Sequence, residues 1–276
     1  MSDVEKAMFK SGLSLEEAQK FSFENAKDMI ALGFDRERTF FFNNSQYIEP
    51  MMPVIFKIWK KTSLHVEKKI YGFDDDANVG MISWPAFEQA PIFPESFPHL
   101  FSPDQDLMCL VVCSCDQFPF FRSIRDFVES FGVKKPVVIA GKFLTGLSGA
   151  GGKMSSSTGQ DASIFLSDSI SEISKKVKTY AFSGGRDTLA EHREKGGDIT
   201  VDVPYIYLHH FLHDDQRLEE IAKDYTSGKM LSGEIKQIMI DVLGELVIDL
   251  QKKRAEITPE ILKEYFTQRP LKKRFD

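Results

Sequence analysis

The sequence predicts an α/β protein: a parallel sheet in its first part, then an all-helical region. Three observations predict it. The runs "LMCLVVC" (107–113) and "PVVIAG" (136–141) are short, unbroken apolar stretches, and a helical pattern joins them. Strand, helix and strand within about 35 residues make a βαβ unit, which requires parallel pairing and a right-handed crossover. Beyond Leu166 the texture changes, and apolar residues recur at helical spacing to the end of the chain.

Each element has a local reason. Ser14 and Glu17 form a capping box, and helical spacing continues until Gly33 can serve as the residue after the C-cap. "RTFFFN" (38–43) reads as a short buried strand. "PMMPVIFKIWKKTSLHV" (50–66) reads as an apolar helical stretch containing a proline, and its methionines and aromatics suit a core or a subunit interface. The strand at 107–113 has the continuous pattern of one buried on both faces. "FPFFRSIRDFVESFG" (118–132) follows as a helix ended by glycine, then the strand at 136–141. Ser169 and Glu172 form a second capping box, with Ile170, Ile173 and Val177 on one face. Ile235, Ile238, Met239, Val242, Leu246, Val247 and Leu250 trace an apolar stripe. Thr258 and Pro259 open the last helix as N-cap and N1. The change of texture predicts two domains, 1–166 and 167–276. No internal repeat or low-complexity segment interrupts them.

Bulk properties narrow the function classes. Of 276 residues, 42% are hydrophobic, enough for a packed core. No apolar run approaches the roughly 18 residues of a membrane span. "MSDVEKAMFK" lacks a signal-peptide pattern, so the cytosol is expected and a membrane is not. Cys109, Cys113 and Cys115 fall in one apolar run and suit a reduced interior. The net charge of −6 argues against general polyanion binding. Basic clusters at 175–178, 252–254 and 271–274 leave a local nucleic-acid patch open beside the plainer reading of solvated helix faces.

Ligands of parallel sheets bind beyond the carboxyl ends of the strands. Two segments sit there: "SCDQF" (114–118) and "GAGGKMSSSTG" (149–159). The second is not a Walker A loop, because that motif needs Gly where Leu147 stands and Ser or Thr where Met154 stands. Gly149, Gly151 and Gly152 permit large backbone swings, Lys153 supplies a mobile cation, and Ser155, Ser156 and Ser157 supply donors. Such a loop suits a triphosphate; as a bare pattern it equally suits a flexible linker.

Position and wording give the loop a likeness. It resembles the Lys-Met-Ser-Lys-Ser signature of class I aminoacyl-tRNA synthetases, with Ser156 replacing the second lysine. "SFENAKDMIALGFD", "GGKMSS", "ASIFLSD", "AFSGGRDT", "VDVPYIYL" and "KDYTSGKMLSGE" together resemble the eukaryotic-type tryptophanyl-tRNA synthetases, over essentially the whole chain. The resemblance implies a Rossmann-like nucleotide-binding domain and a helical anticodon-binding domain. It implies a homodimer that uses ATP with Mg²⁺ to activate L-tryptophan and load tRNA(Trp). It assigns Lys153 to the ATP phosphates, within a catalytic loop running from Lys153 through Met154, Ser155 and Ser156 to Ser157.

The same resemblance places Asp116 and Gln117 at the amino acid and Glu5 as acceptor for the indole N–H. The alternatives are an N-cap for Asp116 and a plain surface carboxylate for Glu5. "SWPAFEQAPIF" carries Glu88 where the family has Gln, with Gln89 one place on, so either the register or the specificity differs. Arg186 and Asp187 match a stretch near the anticodon, and equally suit a structural ion pair and cap. His209 and His213 have metal-compatible spacing without a clear third ligand, so no metal site is expected. The family's His-x-Gly-His is absent from the 276 residues; the only His-x-x-His runs from His210 to His213, with Leu212 in place of Gly. An N-terminally incomplete sheet and a chain inactive by itself are therefore expected. A non-catalytic tRNA-binding or dimer-forming fragment and a tyrosyl-tRNA synthetase are the alternatives.

Overall fold

The computed structural model describes residues 1–102, 105–149 and 163–272. The chain divides into two compact units, residues 1–142 with 256–276, and residues 143–255.

In the first unit α1 (Asp3–Phe9) is short, and Asp3, only 1% exposed, ties it down. The Asp3 carboxylate accepts from the Ser45 backbone N–H at 3.3 Å and from the Ser45 hydroxyl. α2 (Leu15–Ala31) opens with the expected capping box, and Gly33 follows its end with φ 103°. Residues 38–43 form no strand: the Arg38 N–H closes a turn on Asp35, and 39–43 have no regular secondary structure. The Phe41 N–H bonds the Tyr265 carbonyl at 2.9 Å, so its partner is a helix rather than a ladder. The period-two pattern survives in the packing: Phe40 and Phe42 contact Tyr47, whereas Phe41 stacks on Tyr265.

The stretch expected as one helix at 50–66 is two, α3 (Ile48–Lys61) and α4 (Leu64–Tyr71). Ser63 divides them, because its hydroxyl accepts from the Val66 N–H and starts a new helix. Met51, Val54, Ile55 and Ile58 line the buried face of α3. α5 (Val79–Gln89) begins at Asn78, which caps the Met81 N–H at 2.9 Å, and buries Trp84 and Phe87.

β1 (Leu110–Ser114) and β2 (Val137–Gly141) pair in parallel, Leu110 with Val137 through Ser114 with Gly141. Between them α6 (Phe118–Ile124) buries Phe121 and Ile124. The rest of the expected helix tightens into a 3₁₀ turn, Val128–Phe131, closed by Gly132 at φ 76°. Among the described residues only one face of this sheet is covered. Cys109, Val111, Cys113 and Val138 pack on the core, while Leu110, Val112, Val137 and Ile139 are 57%, 72%, 42% and 54% exposed. Burial on both faces, expected from the unbroken apolar runs, is not what the described residues show.

The second unit is helical: α7 (Ile170–Tyr180), α8 (Leu189–Lys195), α9 (Val203–Phe211), α10 (Asp215–Thr226) and α11 (Ser232–Ala255). The capping box of Ser169 and Glu172 opens α7. Ile173, Val177, Tyr207, Ile221, Tyr225, Ile235 and Met239 form its core. Leu147 is also fully buried there, and the Tyr207 hydroxyl donates to the Thr145 carbonyl at 2.8 Å. The compact unit therefore starts at Phe143, ahead of the boundary expected at Leu166. Last, α12 (Pro259–Phe266), capped by Thr258, belongs to the first unit. No helix among the described residues is long and apolar enough to cross a membrane.

Candidate functional site

Glu5 comes from α1 and Glu88 from α5, and the fold brings their charges together. Glu5 is paired with Lys6 at 3.0 Å. Burial first, then the negative charge of Glu5, pushes the Glu88 carboxyl up to about 7. The Met1 ammonium, Lys6 and a hydrogen bond from Ser2 act in the opposite direction. A carboxyl so placed exchanges its proton near neutrality.

Glu88 and Gln89 face different surroundings at the end of α5. Glu88 shares its surroundings with Glu5, while Gln89, 2% exposed, turns to α6. There its amide nitrogen lies 2.9 Å from the Phe120 carbonyl and 2.8 Å from the Ser123 hydroxyl.

Asp116 and Gln117 sit in the tight turn that leaves the carboxyl end of β1. The Cys115 N–H continues the ladder to the Gly141 carbonyl at 3.0 Å, and the Gln117 N–H closes the turn on Ser114 at 3.0 Å. The Ser114 hydroxyl donates to the Asp116 carboxylate. Gln117, not Asp116, occupies the N-cap of α6, and its side chain makes no capping bond. The half-buried amide therefore stands at the sheet edge without the duty expected of its neighbour. Burial, then Asp116, then Glu88 raise the Cys113 thiol, so these two carboxylates reach the same strand end. Glu88 thus lies within electrostatic reach of Glu5 on one side and, on the other, of the end of β1 that Asp116 also reaches. A cavity of about 700 Å³, lined by His99, Phe101, Asp106 and Phe131 ahead of the two strands, contains none of the expected site residues.

Lys153, Met154, Ser155, Ser156 and Ser157 lie outside the described residues. In the second unit Arg186 and Asp187 are exposed. The Arg186 Nε donates to the Gly196 carbonyl at 2.9 Å, and Thr188, not Asp187, caps α8. His209 and His210 end α9, whereas His213 lies beyond its C-cap, so the i, i+4 spacing does not fall on one helix. Among the described residues no group of three or more His, Cys, Asp or Glu is arranged to hold a metal ion.

Sequence reasoning missed the residue that organises this unit. Asp202 is fully buried; its Oδ2 accepts from the Gly184 N–H at 2.9 Å and the Tyr225 hydroxyl at 2.8 Å. Its Oδ1 caps α9 through the Tyr205 N–H at 2.9 Å. The stretches "AFSGGRDT", "VDVPYIYL" and "KDYTSGKM" meet on this one carboxylate, which explains their composition by packing. At Gly184 a Cβ would stand 2.0 Å from the Asp198 carbonyl, so only glycine fits. An acid before "VPY" was the available signal, read only as part of a likeness.

Comparison with known proteins gives the family. A family profile described as tRNA synthetases class I (W and Y) matches residues 6–247. The human cytoplasmic tryptophan–tRNA ligase is 45% identical over 274 residues, covering 98% of this chain and 58% of its own length. The Plasmodium falciparum tryptophanyl-tRNA synthetase structure superposes with a TM-score of 0.90 at 41% identity, covering 97% of this chain and 71% of that one. The Encephalitozoon cuniculi enzyme, solved bound to tryptophan, gives 0.87 at 38% identity, covering 97% and 71%. The chain thus spans somewhat over half the length of the first of these curated relatives.

Proposed function

The chain belongs to the class I tRNA synthetases for W and Y, and we propose that it carries the amino-acid-recognising part of a tryptophan–tRNA ligase. The observation that carries this reading is the meeting of Glu5 and Glu88 in one corner of the first unit, in a chain whose relatives bear that name.

In this reading the indole N–H of tryptophan donates to the Glu5 carboxylate. The Glu5 side chain is 24% exposed and paired with Lys6 in the free chain. A bound amino acid that covers it must satisfy the carboxylate, and phenylalanine or leucine, with no N–H to donate, would leave it covered and less well paired. The substrate ammonium approaches Glu88 and Asp116, and the Gln117 amide oxygen accepts from it at the sheet edge. Glu88 serves this purpose in its charged form, and an ammonium beside it favours that form.

Lys153 and the hydroxyls of Ser155 and Ser157 would meet the phosphates of ATP, whose bound Mg²⁺ is held chiefly by phosphate oxygens. Attack of the tryptophan carboxylate on the α-phosphorus would then form the adenylate and release pyrophosphate. The second unit would hold the anticodon region of tRNA(Trp), with Arg186 and Asp187 on the exposed surface near Thr188. A homodimer in the cytoplasm completes the proposal; the names of the relatives support the cytoplasmic part.

Calorimetric titration tests the amino-acid part directly. Tryptophan is expected to bind at least tenfold tighter than tyrosine or phenylalanine, and Glu5→Gln to lose about 1–3 kcal/mol of that preference. Equal affinity for the three amino acids would sink the reading. For the loop, Lys153→Ala is expected to lose about 1–3 kcal/mol of ATP affinity, as for a hydrogen bond to a charged group; unchanged ATP binding would return it to linker status.

A further inference from the structure

Gln89 is not among the residues assigned to the reaction, yet its amide joins three helices. The nitrogen lies 2.9 Å from the Phe120 carbonyl, 2.8 Å from Ser123 Oγ and 3.3 Å from the Tyr71 hydroxyl. A carbonyl oxygen only accepts, so the amide nitrogen must face it and the orientation of the side chain is fixed. Tyr71 and Ser123 are themselves 2.9 Å apart, and the Ser123 hydroxyl reaches the Phe120 carbonyl at 2.9 Å. The Tyr71 ring stacks on Phe120 at 4.5 Å. This polar knot ties the end of α5 to α4 and to the first turns of α6, whose N-cap is Gln117.

Neighbouring residues on a helix point about 100° apart, so a helix clamped at one side chain is fixed in rotation at the next. Here the next side chain is Glu88. We propose that Gln89 is a positioning residue: by locking α5 against α6 through Phe120 and Ser123, it holds Glu88 at the corner shared with Glu5 and at a set distance from the Asp116–Gln117 turn. The inference rests on the tryptophan reading for its consequence in binding, though not for its geometry. The groups facing Glu88 are the Met1 ammonium, Ser2, Glu5 and Lys6 from the α1 side, and Cys113 from β1.

Gln89→Met keeps the length and volume of the side chain and removes its donors. The direct readout is the titration of the Glu88 carboxyl, followed by carbon NMR without ligand. In the unsubstituted chain its midpoint stands well above the ordinary carboxylate range; in Gln89→Met it is expected to fall by about half a unit or more, as a loosened α5 admits water. Tryptophan affinity at pH 7 is expected to weaken about tenfold in the same variant. A residue that merely stabilised the fold would lower the melting temperature and leave the Glu88 midpoint in place, and that result overturns the inference. Should Gln89→Met not fold, Ser123→Ala removes the far side of the knot and carries the same expectation. An unsubstituted chain without tryptophan affinity would overturn the proposed function, while the NMR midpoint still judges Gln89.

Discussion

At the scale of single residues, Glu67 is the side chain that costs most to explain. It is 9% exposed on α4, and its Oε2 has no hydrogen-bond partner among the described residues. Burial pushes its carboxyl up to about 7. A pKa raised on folding means that the folded state holds the proton more tightly. The resulting stability is complete below the unfolded value of about 4.5 and is lost as pH rises through about 7. Urea unfolding of Glu67→Gln should therefore match the unsubstituted chain at pH 4 and exceed it by about 1–3 kcal/mol at pH 8. Asp202 is the opposite case, a buried carboxylate surrounded by donors. Asp202→Asn turns an amide N–H toward the Gly184 N–H or the Tyr225 hydroxyl, and should lower stability by about 2–4 kcal/mol in the same assay. The candidate site was legible at this scale only through likeness. Nothing in the spacing of Glu5 and Glu88 says that they meet, because α1 and α5 come together only by packing directly on each other in the folded chain. Gln89, one place from the position where the family has Gln, gave no sign in sequence of its partners on α6.

Among the elements, what the sequence disclosed is what is settled within a few residues. The capping boxes at Ser14 and Ser169, the Thr258–Pro259 start and the strands of the βαβ unit all stand where local chemistry put them. The segment 38–43 did not, since three consecutive phenylalanines announce extended backbone without naming its partner. That partner is Tyr265, far away in sequence. Break points inside apolar helices were equally hidden: α3 ends at Lys61, and the Ser63 hydroxyl starts α4 two residues on. The sheet carries a prediction of its own. Leu110, Val112, Val137 and Ile139 present a flat apolar face to solvent, an invitation to self-association. Replacing Val112 and Ile139 by Lys should leave the melting temperature within a few degrees while lowering light scattering and the fluorescence of a bound apolar dye. Unchanged scattering would show that the face is not where copies adhere.

Taken as a whole, the molecule is two units on one chain, and the change of texture at Leu166 marks the start of regular helices rather than the start of the unit. Coil residues such as Leu144 and Leu147 already pack in the helical core, and coil has no period to read. Residues 143–255 are contiguous and enclose the Asp202 knot, so that segment, produced alone, should unfold in one cooperative calorimetric transition. The first unit is not contiguous. Its Phe41 stacks on Tyr265 at 5.3 Å, the Arg269 guanidinium donates to the Thr39 carbonyl at 2.9 Å, and the Lys272 N–H bonds the Glu37 carbonyl at 2.7 Å. That return has a consequence in time. As the chain leaves the ribosome, the inserted unit can close as soon as Ala255 is free. The Phe34–Phe41 region meanwhile waits uncovered for α12, exposed to chaperones and proteases through the whole of that interval. Slowing synthesis between Phe143 and Ala255 should therefore harm the folding of the segment made first, not of the segment being made.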